Sequence, residues 1–165
     1  MLRPASALDV PRLVELARRS WLSAFGQTVP FALISQWVLA DRETSWYQRH
    51  WPEMLVMDDD GTVIGLVQAK GAEINGLWVH PDHQGTGAGT LLLKAGEEII
   101  RGAGYDRAWL VCSEFNRKAL AFYERRGYVV TQRDHEVHPC GVAEEMVRLE
   151  SLLAVGGTRS ERPGR

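Results

Sequence analysis

The chain reads as an α/β (α+β) domain with a mixed, mostly antiparallel sheet and helices on both sides. Three features carry that reading: an amphipathic helix near the N-terminus, two short apolar runs joined by Asp60-Gly61, and a strand that runs through a glycine-rich loop into an apolar helix. Period-2 runs and 3.6-residue patterns alternate along the chain, which excludes an all-helical or all-strand domain.

In order, Leu2–Ala5 is a short N-terminal segment and Asp9 is placed to cap a helix. Its apolar positions Val10, Leu13, Val14, Ala17, Trp21 and Phe25 fall on one stripe, and Gly26 stops it. A second helix is expected from Pro30 through Phe31, Ile34, Trp37 and Val38, towards Trp51. Residues 54–57 and 63–69 read as a hairpin across Asp58-Asp59-Asp60-Gly61-Thr62, because Asp-Gly accepts the positive φ angles of a tight turn. A strand follows over 72–79, then a helix that ends near Gly104, and a short buried strand over 107–112. Asn116 is placed to cap a helix through Arg126, with Gly127 ending it; 128–133 and 142–149 close the sheet as an antiparallel pair.

At 165 residues the expectation is one domain over 1–150 and a polar, Gly/Arg-rich, disordered tail over 151–165. A formal charge of −2 gives no basis for nucleic-acid or membrane-surface partners. No stretch approaches membrane-spanning length and Met1–Ser6 has no apolar leader core. Two cysteines, Cys112 and Cys140, without metal-type spacing point to free thiols and a cytoplasmic setting.

The segment Val79-His80-Pro81-Asp82-His83-Gln84-Gly85-Thr86-Gly87-Ala88-Gly89-Thr90 is the most informative part of the chain. Glycines ahead of a helix let the backbone approach a ligand, and the first N–H groups of the helix attract an anion. The loop therefore reads as a phosphate or pyrophosphate seat. It is not a Walker loop, since Gly89 is followed by Thr90-Leu91 with no lysine. The Gly-x-Gly-x-x-Gly fingerprint fails in both registers, ending on Thr90 or Leu92.

Gln84-x-x-Gly87-x-Gly89 after Val-His-Pro resembles the acetyl-coenzyme A loop of the GNAT acyltransferases, the Gcn5-related N-acetyltransferases. Asn116-x-x-Ala119-x-x-Phe122-Tyr123-Glu124-x-x-Gly127-Tyr128 resembles the second signature of that family, and the resemblance spans about residues 2–149. It implies a sheet splayed in the middle, with the pantetheine of acetyl-CoA in the gap and no metal. It implies direct acetyl transfer to a primary amine in a ternary complex. Gln84, Gly85, Thr86, Gly87, Ala88, Gly89 and Thr90 would hold the pyrophosphate, while Leu77, Trp78 and Val79 would pair with the pantetheine through their main chain. The Val79 N–H would receive the oxyanion. Asn116 would bond the pantetheine or a water as well as cap its helix, and Tyr123 would be the general acid for the departing thiolate.

Glu73 is the candidate base, an acid flanked by Ala72 and Ile74 on the strand entering the loop. Alternation puts it on one face with Asn75, Leu77 and Val79; the competing reading is an ordinary strand residue paired with Lys70. His80, next to Pro81, is the rival base. His135-Glu136-Val137-His138-Pro139-Cys140 fits no standard zinc spacing and reads as a solvated turn. Cys112 reads as an inert buried thiol. Trp21, Trp37, Trp46 and Trp51 crowd the N-terminal part, where one or two would shape an acceptor pocket. Tryptophans and an antiparallel C-terminal edge are compatible with a homodimer. The alternatives are a non-catalytic acyl-CoA-binding or regulatory domain, or an enzyme acting on protein N-termini rather than a small amine.

Overall fold

In the computed structural model, which describes residues 1–26, 29–137 and 143–153, seven strands form one sheet in the order β1-β2-β3-β4-β5-β7-β6. The strands are β1 (Leu2–Pro4), β2 (Met54–Asp59), β3 (Thr62–Lys70), β4 (Glu73–Val79), β5 (Arg107–Ser113), β6 (Val129–Val137) and β7 (Ala143–Leu152). Only β4 and β5 run parallel; every other neighbouring pair is antiparallel. The helices are α1 (Val10–Phe25), α2 (Phe31–Ala40), α3 (Arg42–His50), α4 (Ala88–Gly102) and α5 (Arg117–Glu124).

The two faces bury separate cores. Leu92, Leu93 and Ile100 of α4 pack on Val67, Leu110 and Leu149. Leu13 and Leu16 of α1, with Tyr47 of α3, pack on Val56 and Leu66. That division follows from alternation along β3, where seven successive residues are buried between the two layers.

The β2–β3 hairpin turns at Asp60 and Gly61, whose φ angles are +47° and +81°, and the Asp58 carboxylate accepts the Gly61 N–H at 2.7 Å. Gly65, in the middle of β3, is a close approach: a Cβ there would lie 2.6 Å from Leu92 Cδ1 and 3.0 Å from the Trp78 carbonyl.

Five expectations change. Asp9 precedes α1 but does not cap it; its carboxylate turns back to Ser6 N and Ser6 Oγ, both at 2.8 Å, and to the Arg3 guanidinium at 2.9 Å. That ion pair outcompetes the helix N–H groups for a nearly buried carboxylate. The expected second helix is two, divided at Asp41, whose φ of +40° breaks the ladder. His135, Glu136 and Val137 continue β6 instead of forming a turn, because they pair with Glu145, Glu144 and Ala143; His138, Pro139 and Cys140 lie outside the described residues. At the C-terminal end, β7 runs on through Leu152, and Arg107 pairs with that residue.

The fifth change concerns β4. Gln68 opposes Gly76 and Ala69 opposes Ile74, so Asn75 is one residue extra. A single insertion flips every side chain beyond it. Ile74, Leu77 and Val79 therefore all join the α4 core, and Trp78 joins the α1 core. Glu73, alternating with Ile74, lies on the α1 face, not on the face of Leu77 and Val79.

Candidate active site

β4 and β5 pair at Glu73 and Trp109, with the Trp109 N–H donating to the Ala72 carbonyl at 2.9 Å. Beyond that point they part. β4 stays with β3 as far as Val79, and β5 stays with β7 as far as Ser113. The bulge at Asn75 sits where they separate, and a bulge bends its strand and increases its twist. The resulting cavity is about 440 Å³, walled by Leu77 and Trp78 on one side and by residues 110–113 with Asn116 and Tyr123 on the other.

The register decides which main-chain groups face that gap. The His80 N–H donates to Ile64 O at 2.8 Å, so residues 64 and 80 form a hydrogen-bonded pair. Such pairs alternate with non-bonded ones along an antiparallel ladder. Trp78 is therefore bonded to Leu66 of β3, while Leu77 and Val79 turn their N–H and C=O groups away from β3 and into the gap. The Val79 carbonyl behaves accordingly: it accepts Ser20 Oγ from α1 and Gln84 Nε2 from the loop, both at 3.1 Å. Of the three residues expected to offer main-chain pairing, Leu77 and Val79 have groups outside the β3 ladder, whereas Trp78 is committed to Leu66.

At the wide end the loop turns on Gly85 and Gly87, with φ of +81° and +96°. Only a residue without a Cβ takes such angles at low cost. Helix α4 begins at Ala88 with no side-chain cap, so the Ala88 and Gly89 N–H groups have no partner within the helix. Gly89 has a packing reason too: a Cβ would lie 3.3 Å from the Phe122 ring. Thr86 Oγ1 donates to His83 O at 2.7 Å and folds the loop tip.

Two cations that the motif reading passed over stand beside this helix start. Lys118 Nζ bonds Gln84 Oε1 at 2.6 Å, and Arg126 bonds Thr90 Oγ1 while its guanidinium lies 3.6 Å over the Phe122 ring. Burial, then the neighbouring charge of Arg125, lowers the Arg126 pKa from its ordinary value. Dipole and cations together make an anion seat. The cue in the sequence was that Lys118 and Arg126 lie within the second signature, at its unspecified positions. Gln84 spends its amide on Val79 and Lys118.

Tyr123 is buried and lines the gap, edge-on to Phe122 and tilted against Tyr128. Burial, then the nearby Cys112, push its phenol above the usual value. Asn116 Oδ1 accepts the Ala119 N–H at 3.1 Å, which caps α5, and the residue also borders the cavity. Cys112 is pushed up to about 12 by burial and then by the charge of Glu144, so its thiol stays protonated. His80 Nδ1 accepts the Asp82 N–H at 3.3 Å in the strand-end turn. Glu73 is half-buried at the closed end of the divergence and is not among the residues lining the cavity.

The other mouth of the cavity is aromatic and acidic. Trp21 stacks on Trp37 with ring centroids 4.3 Å apart, and Phe25 lies 5.1 Å from Trp21. Trp46 instead stacks on His50, and Trp51 packs on the α1 core. Opposite, Glu136 and Glu144 face each other across β6 and β7, and Ser113 Oγ donates to the buried Glu144. Alternation from Val147 and Leu149, both in the α4 core, assigns Glu144 and Met146 to the other face of β7; that cue was legible but unused. Among the described residues there is no cluster of His, Cys, Asp or Glu that would hold a metal, and no helix long and apolar enough to cross a membrane.

Comparison with known proteins agrees with this architecture. The acetyltransferase (GNAT) family profile matches residues 10–128. A mycothiol acetyltransferase of Streptomyces coelicolor is 28% identical over 155 residues, covering 80% of this chain and 50% of that protein. The chain thus spans about half the length of that relative. Among solved structures, the PaiA N-acetyltransferase of Thermoplasma acidophilum in complex with coenzyme A has a TM-score of 0.77 at 22% identity, covering 92% of this chain and 98% of that one. A Gcn5-related N-acetyltransferase of Rhodopseudomonas palustris has a TM-score of 0.79 at 24% identity, covering 93% and 95%. A splayed β4–β5 pair, a glycine loop opening a helix and a profile match over most of the chain lead to one conclusion: the chain belongs to the acetyltransferase (GNAT) family.

Proposed function

We propose that the protein is an acetyl-CoA-dependent N-acetyltransferase that moves an acetyl group to a primary amine directly, in a ternary complex. The observation that carries the reading is the inward-facing main chain of Leu77 and Val79 in a gap that ends at an anion seat. An amide-bearing pantetheine arm can pair with those groups as an added strand while its pyrophosphate meets Ala88, Gly89, Lys118 and Arg126. The coenzyme A bound in the PaiA structure supports that choice of anion.

In the transfer the ammonium first loses a proton. Glu73 is the proposed acceptor of that proton, and since Leu77 lies four residues on, roughly 13 Å of strand, and Glu73 does not line the cavity, the role requires a chain of waters. The amine nitrogen then attacks the thioester carbon, and the carbonyl oxygen becomes an oxyanion facing the Val79 N–H. As the C–N bond forms and the C–S bond breaks, the electron pair leaves on sulfur. The nitrogen gives up a second proton, so the amide, the thiol and one released proton balance the reaction.

Tyr123 receives the thiolate. A phenol held above its ordinary pKa of about 10 does not hand its proton outright to a thiolate of about 8.5. Tyr123 therefore donates a hydrogen bond that strengthens as the C–S bond breaks, and full transfer follows to the extent that the same burial raises the thiol. The buried setting makes that bond worth more than it would be in water.

The test is thiol release from acetyl-CoA against amines, amino acids, aminoglycosides and peptides with free N-termini. Release that depends on one acceptor class supports the reading. Tyr123→Phe and Glu73→Gln should each lower turnover at least about ten-fold while acetyl-CoA binding is kept. Binding of acetyl-CoA without release across the panel would favour an acyl-CoA-binding domain instead.

A further inference from the structure

The acceptor side of the cavity carries information that the transfer chemistry does not use. Its α1–α2 wall is mainly aromatic and aliphatic, with Trp21, Phe25, Leu33 and Trp37 beside a single amide, Gln36. Its β6–β7 wall carries Glu136 and Glu144, directly opposite each other in the strand register. Like charges at directly opposed positions oppose strand pairing. Glu144 is only 8% exposed, and its carboxylate is held by the Ser113 hydroxyl rather than turned to solvent. The described lining residues include these two acids and no lysine, arginine or histidine.

The site itself is given by the β4–β5 gap; the two walls say what enters it. A carboxylate-bearing guest would meet like charge in a partly desolvated space, where an unfavourable pair is worth more than in water. An ammonium meets the opposite sign on one wall and π faces on the other, and both attract a cation. A polyhydroxylated guest would set hydroxyl groups against the Trp21–Trp37 stack, where Gln36 is the one polar side chain that this wall lends to the cavity.

We propose that the acceptor is an ammonium on an apolar or aromatic body with no carboxylate beside the amine, selected by Glu136 and Glu144 on one side and the Trp21–Trp37 stack on the other. This rests on the acetyltransferase reading and narrows its substrate class. The carboxylates bind the ammonium, the form that prevails at neutral pH, and the proton leaves as the nitrogen advances towards Leu77 and Val79.

The experiment compares 2-phenylethylamine, phenylalanine and ethanolamine as acceptors, read as thiol release. Phenylalanine keeps the aromatic body and adds the carboxylate; ethanolamine keeps the ammonium and drops the ring. The expected result is a kcat/KM for 2-phenylethylamine at least about ten-fold above either, the scale of one like-charge contact or one lost aromatic contact. Glu136→Gln and Glu144→Gln should raise the KM for 2-phenylethylamine about ten-fold and narrow its lead over phenylalanine, with acetyl-CoA affinity unchanged. Glu136 is exposed, so its variant reads out even where replacing the buried Glu144 disturbs folding. Equal use of phenylalanine, or an unchanged KM in the Glu136 variant, would overturn the proposal. Should no amine release thiol, the acetyltransferase reading fails, and titration of 2-phenylethylamine into the coenzyme A-bound protein decides this one. Binding weakened by Glu136→Gln supports it; no binding overturns it.

Discussion

Glu73 pairs with Trp109 across the single parallel junction of the sheet, and this pair is the hinge point from which β4 and β5 diverge. Everything at the site depends on that divergence. Without it, Leu77 and Val79 would spend their inward N–H and C=O groups on β5. With it, the Leu77 and Val79 N–H groups and the Leu77 carbonyl are left without a strand partner beside a cavity of about 440 Å³, while the Val79 carbonyl is taken by Ser20 and Gln84.

The anion seat is the first place to test. Lys118→Ala removes a cation that bonds the loop through Gln84. The expected loss is about ten-fold in acetyl-CoA affinity, equivalent to about 1.4 kcal/mol. Titration calorimetry at low and high salt checks it, and the deficit should shrink as salt rises.

Gly87 and Gly65 are glycines for different reasons, and their alanine variants should separate. Gly87→Ala strains a residue at φ +96° where nothing crowds a Cβ, so the loop shifts and acetyl-CoA affinity falls with the core intact. Gly65→Ala drives a methyl into Leu92 and towards the Trp78 carbonyl. It should cost about 1–3 kcal/mol of stability by urea unfolding. Equal stability losses in both variants would refute the distinction.

Arg3 and Asp9 pin the N-terminal strand to α1. Two hydrogen bonds from Arg3, then those from Ser6, hold the Asp9 carboxyl well below the usual carboxylate range, and the same pair raises Arg3. A depressed carboxyl contributes stability that is complete above its unfolded pKa of about 3.9 and is lost as pH falls below it. Asp9→Asn should therefore cost about 2 kcal/mol at pH 7, and the gap to wild type should close below about pH 4. A gap independent of pH would show that the carboxyl's charge is not what stabilises.

Much of this was legible in the sequence, and the failures have physical causes. Asp60-Gly61, Asn116 and the Gly85–Gly89 loop announce themselves because particular side chains, or their absence, are needed at those backbone angles. The extra residue at Asn75 leaves no such mark, so strict alternation put Glu73 on the wrong face. Asp9 has the chemistry of a helix cap, but Arg3 lies six residues back and takes its carboxylate. Glu144 and Ser113 meet only because β5 and β7 pair through Ser113 and Met146, a contact between segments distant in sequence.

The most direct measurement is amide hydrogen exchange at Leu77, Trp78 and Val79, with and without coenzyme A. If the pantetheine adds as a strand in the gap, the Leu77 and Val79 amides slow strongly on binding, while Trp78, already bonded to β3, stays as it was. Binding that leaves both Leu77 and Val79 unchanged would contradict the placement of the cofactor in the β4–β5 gap.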